Sequence, residues 1–553
     1  MANRFKRLRY WLPLISAVTL VIGMWIGWAL KPSPELTPGE KKLYEMLSII
    51  DRNYVEPVSL DSLIERSIPG IIGNLDPHSA YLTPQDLVKD KEELGGSFSG
   101  IGIHFQMNND TICVVEVLSG GPAEKVGIMA GDKIIGIDGE DIIAKKLTTD
   151  DVFKRLRGEK DTNVSVNVAR RGVKKPIKFD ITRGDIPVTT IDAQYMQTPN
   201  TGYVKVNKFG LNTYGEFLQA LNSLRLQGAE RFIIDLRGNT GGYMETAILM
   251  ANEFLPRGNT IVSTIGRDSR NNQTVLSDGN GAFADFPLTV LIDEMSASSS
   301  EIFSGAIQDN DRGLVIGRRS FGKGLVQQSI KMSDDSELRL TVQHYYTPSG
   351  RCIQKEYKPG DNEDYEYEVI NRYYRGEMTN ADSVKINKDL IYKTSTGRTV
   401  YGGGGIVPDI FVPNDTSGIT QYYANVLNSG IINKFAYNFA DSNRESLKKA
   451  KTVKALLAQL PSDEALLSQF VQYAADNGVP KRWYYINSSA PLIVSQLKAL
   501  IGRDLLGVGA YYEIMNSRDN TVKRAVKELE NGGAAFPIKP DTVAATSDKS
   551  SPQ

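Results

Sequence analysis

Residues 291–328 hold the groups best suited to covalent chemistry. A serine cluster of Ser296, Ser298, Ser299 and Ser300 ends in Glu301, and about two dozen residues later a lone lysine stands among glycines in Phe321-Gly322-Lys323-Gly324. The apolar, β-branched run 288–292 reads as a buried strand, and Ile302, Phe303, Ala306 and Ile307 recur at helical spacing. The serines therefore fall on a strand-to-helix turn. Unpaired N–H groups and the positive end of the helix dipole there suit a nucleophile whose intermediate is negatively charged. A second short strand, 313–317, delivers Lys323 on a glycine loop. Three readings stand side by side. In one, a serine attacks while Lys323, kept neutral by burial, takes its proton; catalytic lysines titrate near about 7–8. In another, 317–323 is a phosphate loop of the form G-x-x-x-x-G-K, although Gly324 stands where Ser or Thr would hold magnesium. In the third, the serines only cap a helix and Lys323 is solvated.

The chain that must position these groups has 553 residues, enough for several domains. Its formal net charge of −1 gives no electrostatic case for nucleic acid or for an acidic substrate. Two cysteines, Cys113 and Cys352, and 3 histidines are too few for a disulfide framework or a structural zinc site. Arg4, Lys6, Arg7 and Arg9 precede an uncharged, mostly apolar run at 11–30, with Trp11, Trp25 and Trp28 near its ends. That run has the length of one membrane-spanning helix. The expectation is a cytoplasmic basic segment 1–10, an uncleaved transmembrane anchor 11–30 in the inner membrane, and a body in the periplasm or another extracytoplasmic space. The rival, a cleaved signal peptide, has a shorter apolar core and an A-x-A site, and also exports the body.

Residues 31–94 read as a linker and amphipathic helices, with Leu43, Met46, Leu47, Ile49 and Ile50 near one face of 41–54. Asp76, Pro77, His78 and Ser79 then interrupt the pattern as an Asp-Pro turn. Short alternating strands follow at 112–117, 133–137 and 164–169. Further on, a strand at 201–206, a helix at 214–226 and a buried strand at 232–236 lead into Arg237-Gly238-Asn239-Thr240-Gly241-Gly242. The glycine N–H groups of that segment can face an oxyanion, or it is a plain strand-to-helix loop. The Tyr-, Glu- and Asp-rich stretch 355–380 reads as a surface insertion. Helical periodicity returns at 448–460, 465–475, 491–501 and 522–529, and 536–553 reads as a disordered tail.

These motifs, over roughly 40–415, resemble the carboxyl-terminal processing peptidases, the tail-specific serine proteases. The likeness rests on S-A-S-x-S-E at 296–301, F-G-K-G-x-V-Q at 321–327, L-D-P-H-S-x-Y-L at 75–82, and the paired motifs around Gly121-Pro122-Ala123 and Gly131-Asp132. The segments 344–354 and 402–410 add to it. Ser299 stands where many members have alanine, as does Val126; Gly238 and Thr240 replace Asn and Pro, implying a looser loop. The resemblance implies a multidomain α+β fold: an N-terminal transmembrane helix, an N-terminal helical region (31–94), a PDZ domain built as a β-sandwich or barrel with two helices (95–185), an α/β protease core of the ClpP/crotonase-like type (186–415) and a C-terminal helical region (416–535). It implies Ser298 as nucleophile, Lys323 as base, and Gln327, one helical turn after the lysine, as its orienting partner. Oxyanion donors would be the N–H of Gly241 or Gly242 together with that of Ser299. Gly100, Ile101, Gly102 and Ile103 would hold a chain terminus by strand addition, with Val152 and Leu156 as the apolar side of the pocket. His78 invites a Ser-His-Asp reading, which the resemblance disfavours because the family uses lysine and His78 lies in an N-terminal helical region. The resemblance implies no metal and no organic cofactor. The implied partners are protein or peptide substrates with apolar C-termini, the membrane through the N-terminal helix, and a homo-oligomer or adaptor protein, with no nucleic acid. Two other classes are a catalytically inactive PDZ scaffold, against which intact Ser298, Lys323 and Gln327 stand, and a nucleotide-binding phosphate-loop protein, against which Gly324 stands.

Overall fold

The computed structural model describes residues 13, 16–25, 36–108, 110–118, 120–143 and 145–532. Residues 1–72 and 73–553 form two units. In the first, helix Pro38–Asn53 starts at a capping box in which Thr37 and Glu40 satisfy each other's backbone N–H. Helix Leu60–Ile72 follows. The expected transmembrane helix is corrected here: among the described residues no helix is long and apolar enough to cross a membrane. The longest described helical run in that stretch is 16–25, about half of the ~20 residues a bilayer requires. The rest of the expected anchor lies outside the described residues, as do the basic segment 1–10 and the tail 536–553.

The second unit begins with the β-rich domain. Strands Ile103–Asn108, Thr111–Val117, Lys133–Ile137, Asn163–Ala169 and Ile177–Thr182 pair in that order, all antiparallel. Alternation turns Val164, Val166 and Val168 inward, where they meet Ile101, Ile134, Val152 and Leu156 in one apolar core. Ile103–Asn108 is an edge strand of this sheet among the described residues. Helices Pro122–Val126 and Thr149–Leu156 complete the domain. Strands Ser97–Gly100 and Gly184–Pro187 pair at its base.

The core that follows is a six-stranded sheet in the order Ile191–Thr198, Thr201–Val206, Arg231–Asp235, Leu288–Ile292, Leu314–Gly317, Ile410–Phe411. The first pair is antiparallel and the rest are parallel. Its central strands are built on the apolar runs 232–234, 290–292 and 314–316, as a sheet covered on both faces requires. Helices Thr213–Leu226, Met244–Asn252 and Ser299–Asp309 share one core with one face. Val522, Ala525 and Leu529, from helix Asn520–Glu530, pack on the other against Ile233, Leu291 and Ile316. That last helix reads from sequence as part of the C-terminal region; in the fold it is a layer of the core. A second sheet joins Ala80–Leu82, Glu337–Tyr346, Thr260–Gly266 and Gln273–Leu276, with Leu325–Lys331 paired to Glu337–Tyr346. The C-terminal helices, among them Ile431–Ser442, Asp463–Asp476 and Trp483–Leu506, enclose an apolar core of their own.

Candidate active site

Three loops leave the carboxyl ends of adjacent parallel strands: 237–242 after Arg231–Asp235, 293–298 after Leu288–Ile292, and 318–324 after Leu314–Gly317. In open α/β sheets ligands gather at that end. The loops border a cleft of about 410 Å³ lined by Ser298, Ser299, Gly242, Lys323, Gln327 and Arg339 among others. The helix Pro84–Leu94 adds Leu87, Asp90 and Leu94 to its wall.

The serine cluster sorts itself by hydrogen bonding. The Ser296 hydroxyl donates to the Leu236 carbonyl and accepts the Asp293 N–H, both at 2.9 Å. The Ser299 hydroxyl donates to the Gly242 carbonyl and that of Ser300 to the Asn239 carbonyl, each at 2.8 Å. Ser298 is different. It precedes helix Ser299–Asp309 with φ 54° and ψ −114°, a strained backbone for a residue with a Cβ. Its carbonyl accepts the N–H groups of Glu301 and Ile302 at 2.8 and 2.9 Å, and its own N–H donates to Glu301 Oε2 at 2.8 Å. The backbone thus closes the turn, and the side chain borders the cleft.

The glycine loop is pinned, not loose. Asn239 is fully buried and donates from Nδ2 to the Val206 carbonyl at 3.1 Å. Its Oδ1 accepts the Gly241 N–H at 2.9 Å, and its carbonyl accepts the Ala297 N–H at 3.0 Å. Gly241 has φ +106°, and a Cβ there would lie 2.8 Å from the Cβ of Ser298, so only glycine fits beside the serine. Its N–H is taken by Asn239, whereas Gly242 and Ser299 line the cleft.

Lys323 sits on a loop held from outside. The Glu301 carboxylate, completely buried, accepts the hydroxyl of Ser320 at 2.5 Å and the N–H groups of Gly322 and Lys323 at 2.7 and 2.9 Å, besides that of Ser298. One side chain therefore ties the serine turn to the lysine loop. Burial pushes the Glu301 carboxyl up to about 7, against the pull of those four donors. The Tyr345 hydroxyl donates to the Lys323 carbonyl and lies 3.2 Å from that of Ser298. Arg372 reaches in from helix Asn362–Tyr374 and donates to the carbonyls of Ser320 and Phe321 at 2.6 and 2.9 Å. The stretch 355–380 is thus a brace for the lysine loop as well as a surface segment. Gly322 has φ +94° and packs against Gly405, which places 402–405 beneath the same loop. Lys323 is held below the usual lysine range, by burial first and by the Arg339 cation second; Glu301 and Asp76 act in the opposite direction.

Gln327 lies on strand Leu325–Lys331, not one helical turn beyond the lysine. It still lines the cleft, and its Nε2 donates to the Thr341 hydroxyl at 3.1 Å. The same strand removes the phosphate-loop reading, which needs a helix after the lysine. His78 bonds through Nε2 to the Tyr365 hydroxyl at 2.7 Å, and burial, with Lys323 next, presses it down to about 3. It is neutral at any ordinary pH and lies off the cleft lining. In the β-rich domain, Val152 and Leu156 are buried with Ile101 in its core. The exposed neighbour on their helix is Phe153, whose ring meets Phe105 at 5.4 Å and is covered by Arg157. Glu301, Tyr345, Arg372 and Thr341 are the supporting residues that the sequence did not assign; Glu301 and Tyr345 stood within recognised segments, 296–301 and 344–354.

With α/β core, peptide-binding-type β domain and serine turn together, the arrangement is that of a PDZ-containing serine protease. A model of peptidase family S41 matches residues 200–366, a PDZ domain model matches 99–181, and a family of unknown function matches 422–507. The chain is 34% identical over 321 residues to the carboxy-terminal processing protease CtpB of Bacillus subtilis, covering 57% of this chain and 65% of that protein. It is 31% identical over 405 residues to a probable CtpA-like serine protease of Staphylococcus haemolyticus, covering 70% and 80%. Among solved structures, a photosystem II D1 C-terminal processing protease is 28% identical, with 58% of this chain and 91% of that one aligned at a TM-score of 0.32. The chain belongs to the S41 family of carboxy-terminal processing serine proteases.

Proposed function

We propose that this protein cleaves polypeptides by a Ser/Lys mechanism after capturing their C-termini in the PDZ domain. Neutral Lys323 Nζ takes the proton of Ser298 Oγ as that oxygen attacks the scissile carbonyl. The tetrahedral oxyanion is held by the N–H groups of Gly242 and Ser299, since that of Gly241 is donated to Asn239. Lys323 then protonates the leaving amine, and water releases the acyl group. Gln327 orients the lysine. The observation that carries this reading is that Ser298 and a lysine depressed by burial border one cleft, while the hydroxyls of Ser296, Ser299 and Ser300 are donated to backbone carbonyls. Substrate capture is supported by the edge of Ile103–Asn108, unpaired among the described residues, beside 100–103, which suits an extended chain terminus with an apolar last residue. The basic residues before the apolar run 11–30 support export of the body from the cytoplasm; reporter fusions at residue 40, active only outside the cytoplasm, test it.

The deciding experiment incubates the protein and its Ser298→Ala variant with an unfolded protein ending in an apolar tail and follows fragments by mass spectrometry. Cleavage by the unmodified enzyme alone supports the proposal, and equal cleavage by both overturns it. Amidating the substrate's C-terminus should slow cleavage if the PDZ domain captures the carboxylate.

A further inference from the structure

The segment 75–82 has no part in the mechanism above, yet it is bolted to the strand that faces Gln327. Asp76 is 5% exposed. Its Oδ1 accepts the N–H groups of His78 and Ser79 at 2.9 and 2.8 Å and the Thr341 hydroxyl at 3.0 Å. Its Oδ2 accepts the Ser79 hydroxyl at 2.5 Å, and Ser79 Oγ in turn accepts the Thr341 N–H at 3.0 Å. Every group around this carboxylate is a donor. Burial works against its charge, but the bonds from Ser79, His78 and Thr341 together hold it below the usual carboxylate range.

We infer that Asp76 and Thr341 form a hydrogen-bond relay that fixes which end of the Gln327 amide faces Lys323, and that both are positioning residues for the reaction. Proton counting sets the orientation. A threonine hydroxyl has one proton. Thr341 gives it to Asp76, which accepts only, so Thr341 has nothing but lone pairs to offer Gln327. The Gln327 amide, 3.1 Å away, meets those lone pairs with its NH₂ group. Its carbonyl oxygen is then the end left for the cleft, where it can accept from the amine of Lys323. An amide turned by half a rotation would point two donors at a lysine that also donates, and the base would be driven out of line with Ser298 Oγ. Asp76 thus acts at a distance of two hydrogen bonds, and its anion also favours protonated Lys323. The three parts come from three places in the chain: the turn before strand Ala80–Leu82, strand Glu337–Tyr346 and strand Leu325–Lys331.

This inference rests on the Ser298/Lys323/Gln327 reading, and the test separates the two. Steady-state kcat and KM are measured for the full chain on a fluorogenic peptide with an apolar C-terminus. The variants are Thr341→Val, Thr341→Ser, Gln327→Ala and the double variant Thr341→Val/Gln327→Ala. The relay predicts that Thr341→Val lowers kcat about 10- to 100-fold with KM within about twofold. Thr341→Ser, which keeps the hydroxyl, should recover most of kcat. The double variant should be no slower than Gln327→Ala alone, because both changes remove the same orientation. Losses that multiply, or unchanged kcat in Thr341→Val, overturn the relay. If Thr341→Val does not fold, Asp76→Asn breaks the relay at its other end and the same cycle with Gln327→Ala decides. Activity surviving in Ser298→Ala or Lys323→Ala would instead overturn the catalytic reading itself; inactive Ser298 and Lys323 variants with multiplying Thr341 and Gln327 losses would overturn the relay alone.

Discussion

The serine turn and the lysine loop face each other across one cleft but are built in different ways. The turn carries its own instructions. Its strand and helix are contiguous in sequence, its strained residue is locked by bonds to Glu301 and Ile302 just beyond it, and Ser296 and Ser300 anchor it to the neighbouring loop. The lysine loop has no regular structure and borrows its shape. Glu301, Tyr345, Arg372 and the glycines at 402–405 hold its backbone from separate parts of the chain. Ser298, the proposed nucleophile, is thus positioned by local geometry, and Lys323, the proposed base, including the burial that depresses it, by tertiary contacts. Damage to the turn should be chemical and local. Damage to the loop should come from residues remote from the cleft.

Removing either reacting group tests the endpoints of that contrast. Ser298→Ala and Lys323→Ala should each lower kcat/KM by at least about 10⁴-fold with the fold intact by circular dichroism. Gly241→Ala probes the turn: a Cβ would approach the Ser298 Cβ to 2.8 Å in a backbone with φ +106°, and a displaced nucleophile should lose about 10²-fold in kcat. Arg372→Ala probes the loop from a distance. It withdraws a buried cation that holds two carbonyls beside Lys323 and leaves Glu368 short of a partner. About 3 kcal/mol of stability by denaturant titration, and about tenfold in kcat below the unfolding transition, should go with it. Ser296→Ala, which also removes one anchoring group but from the locally built turn, should cost less activity; the reverse order would refute the contrast.

The smallest effect is on the pH profile. The proposed Ser/Lys mechanism requires neutral Lys323, so activity should fall as pH drops through a lysine pKa that lies below the ordinary range. The Arg339 cation is part of what lowers it. Arg339→Gln removes that cation, so Lys323 should keep its proton to higher pH and the acidic limb of kcat/KM should move upward. A limb that stays put would assign the limb to another group. Glu301 has the opposite sign in stability: a carboxyl raised to about 7 in the folded state favours folding below the unfolded value of 4.5, and that contribution is lost as pH rises through 7.

Much of the site was legible because its signals are short-range. Hydrophobic period before and after Ser298 places a strand and a helix, and the glycines at 241, 242, 322 and 324 mark backbones that side chains cannot follow. Gln327 shows where that legibility stops. Four residues after Lys323 it fits a helical turn as well as a strand, and only pairing with Glu337–Tyr346 decides for the strand. The tyrosine- and acid-rich stretch 355–380 reads as solvent-facing, yet Tyr365 is 4% exposed and Arg372 is fully buried, because His78 and the carbonyls of Ser320 and Phe321 that they meet lie elsewhere in the chain. The N-terminal run 11–30 lies partly outside the described residues, and among those described no helix is both long and apolar enough to cross a membrane.

By itself the sequence determined the residue types, the order of the domains, and the two turns that present Ser298 and Lys323, since backbone conformation and apolar period are properties of neighbours along the chain. The tertiary structure decided everything that depends on what lies across the cleft: the depression of Lys323, the Glu301 tie, the Arg372 brace, and the line from Asp76 through Thr341 to Gln327. Asp76 and Thr341 stand 265 residues apart in the chain and 3.0 Å apart in the fold. A hydrogen bond or a change of dielectric across such a gap comes into being only when the sheets close, so no local pattern records it.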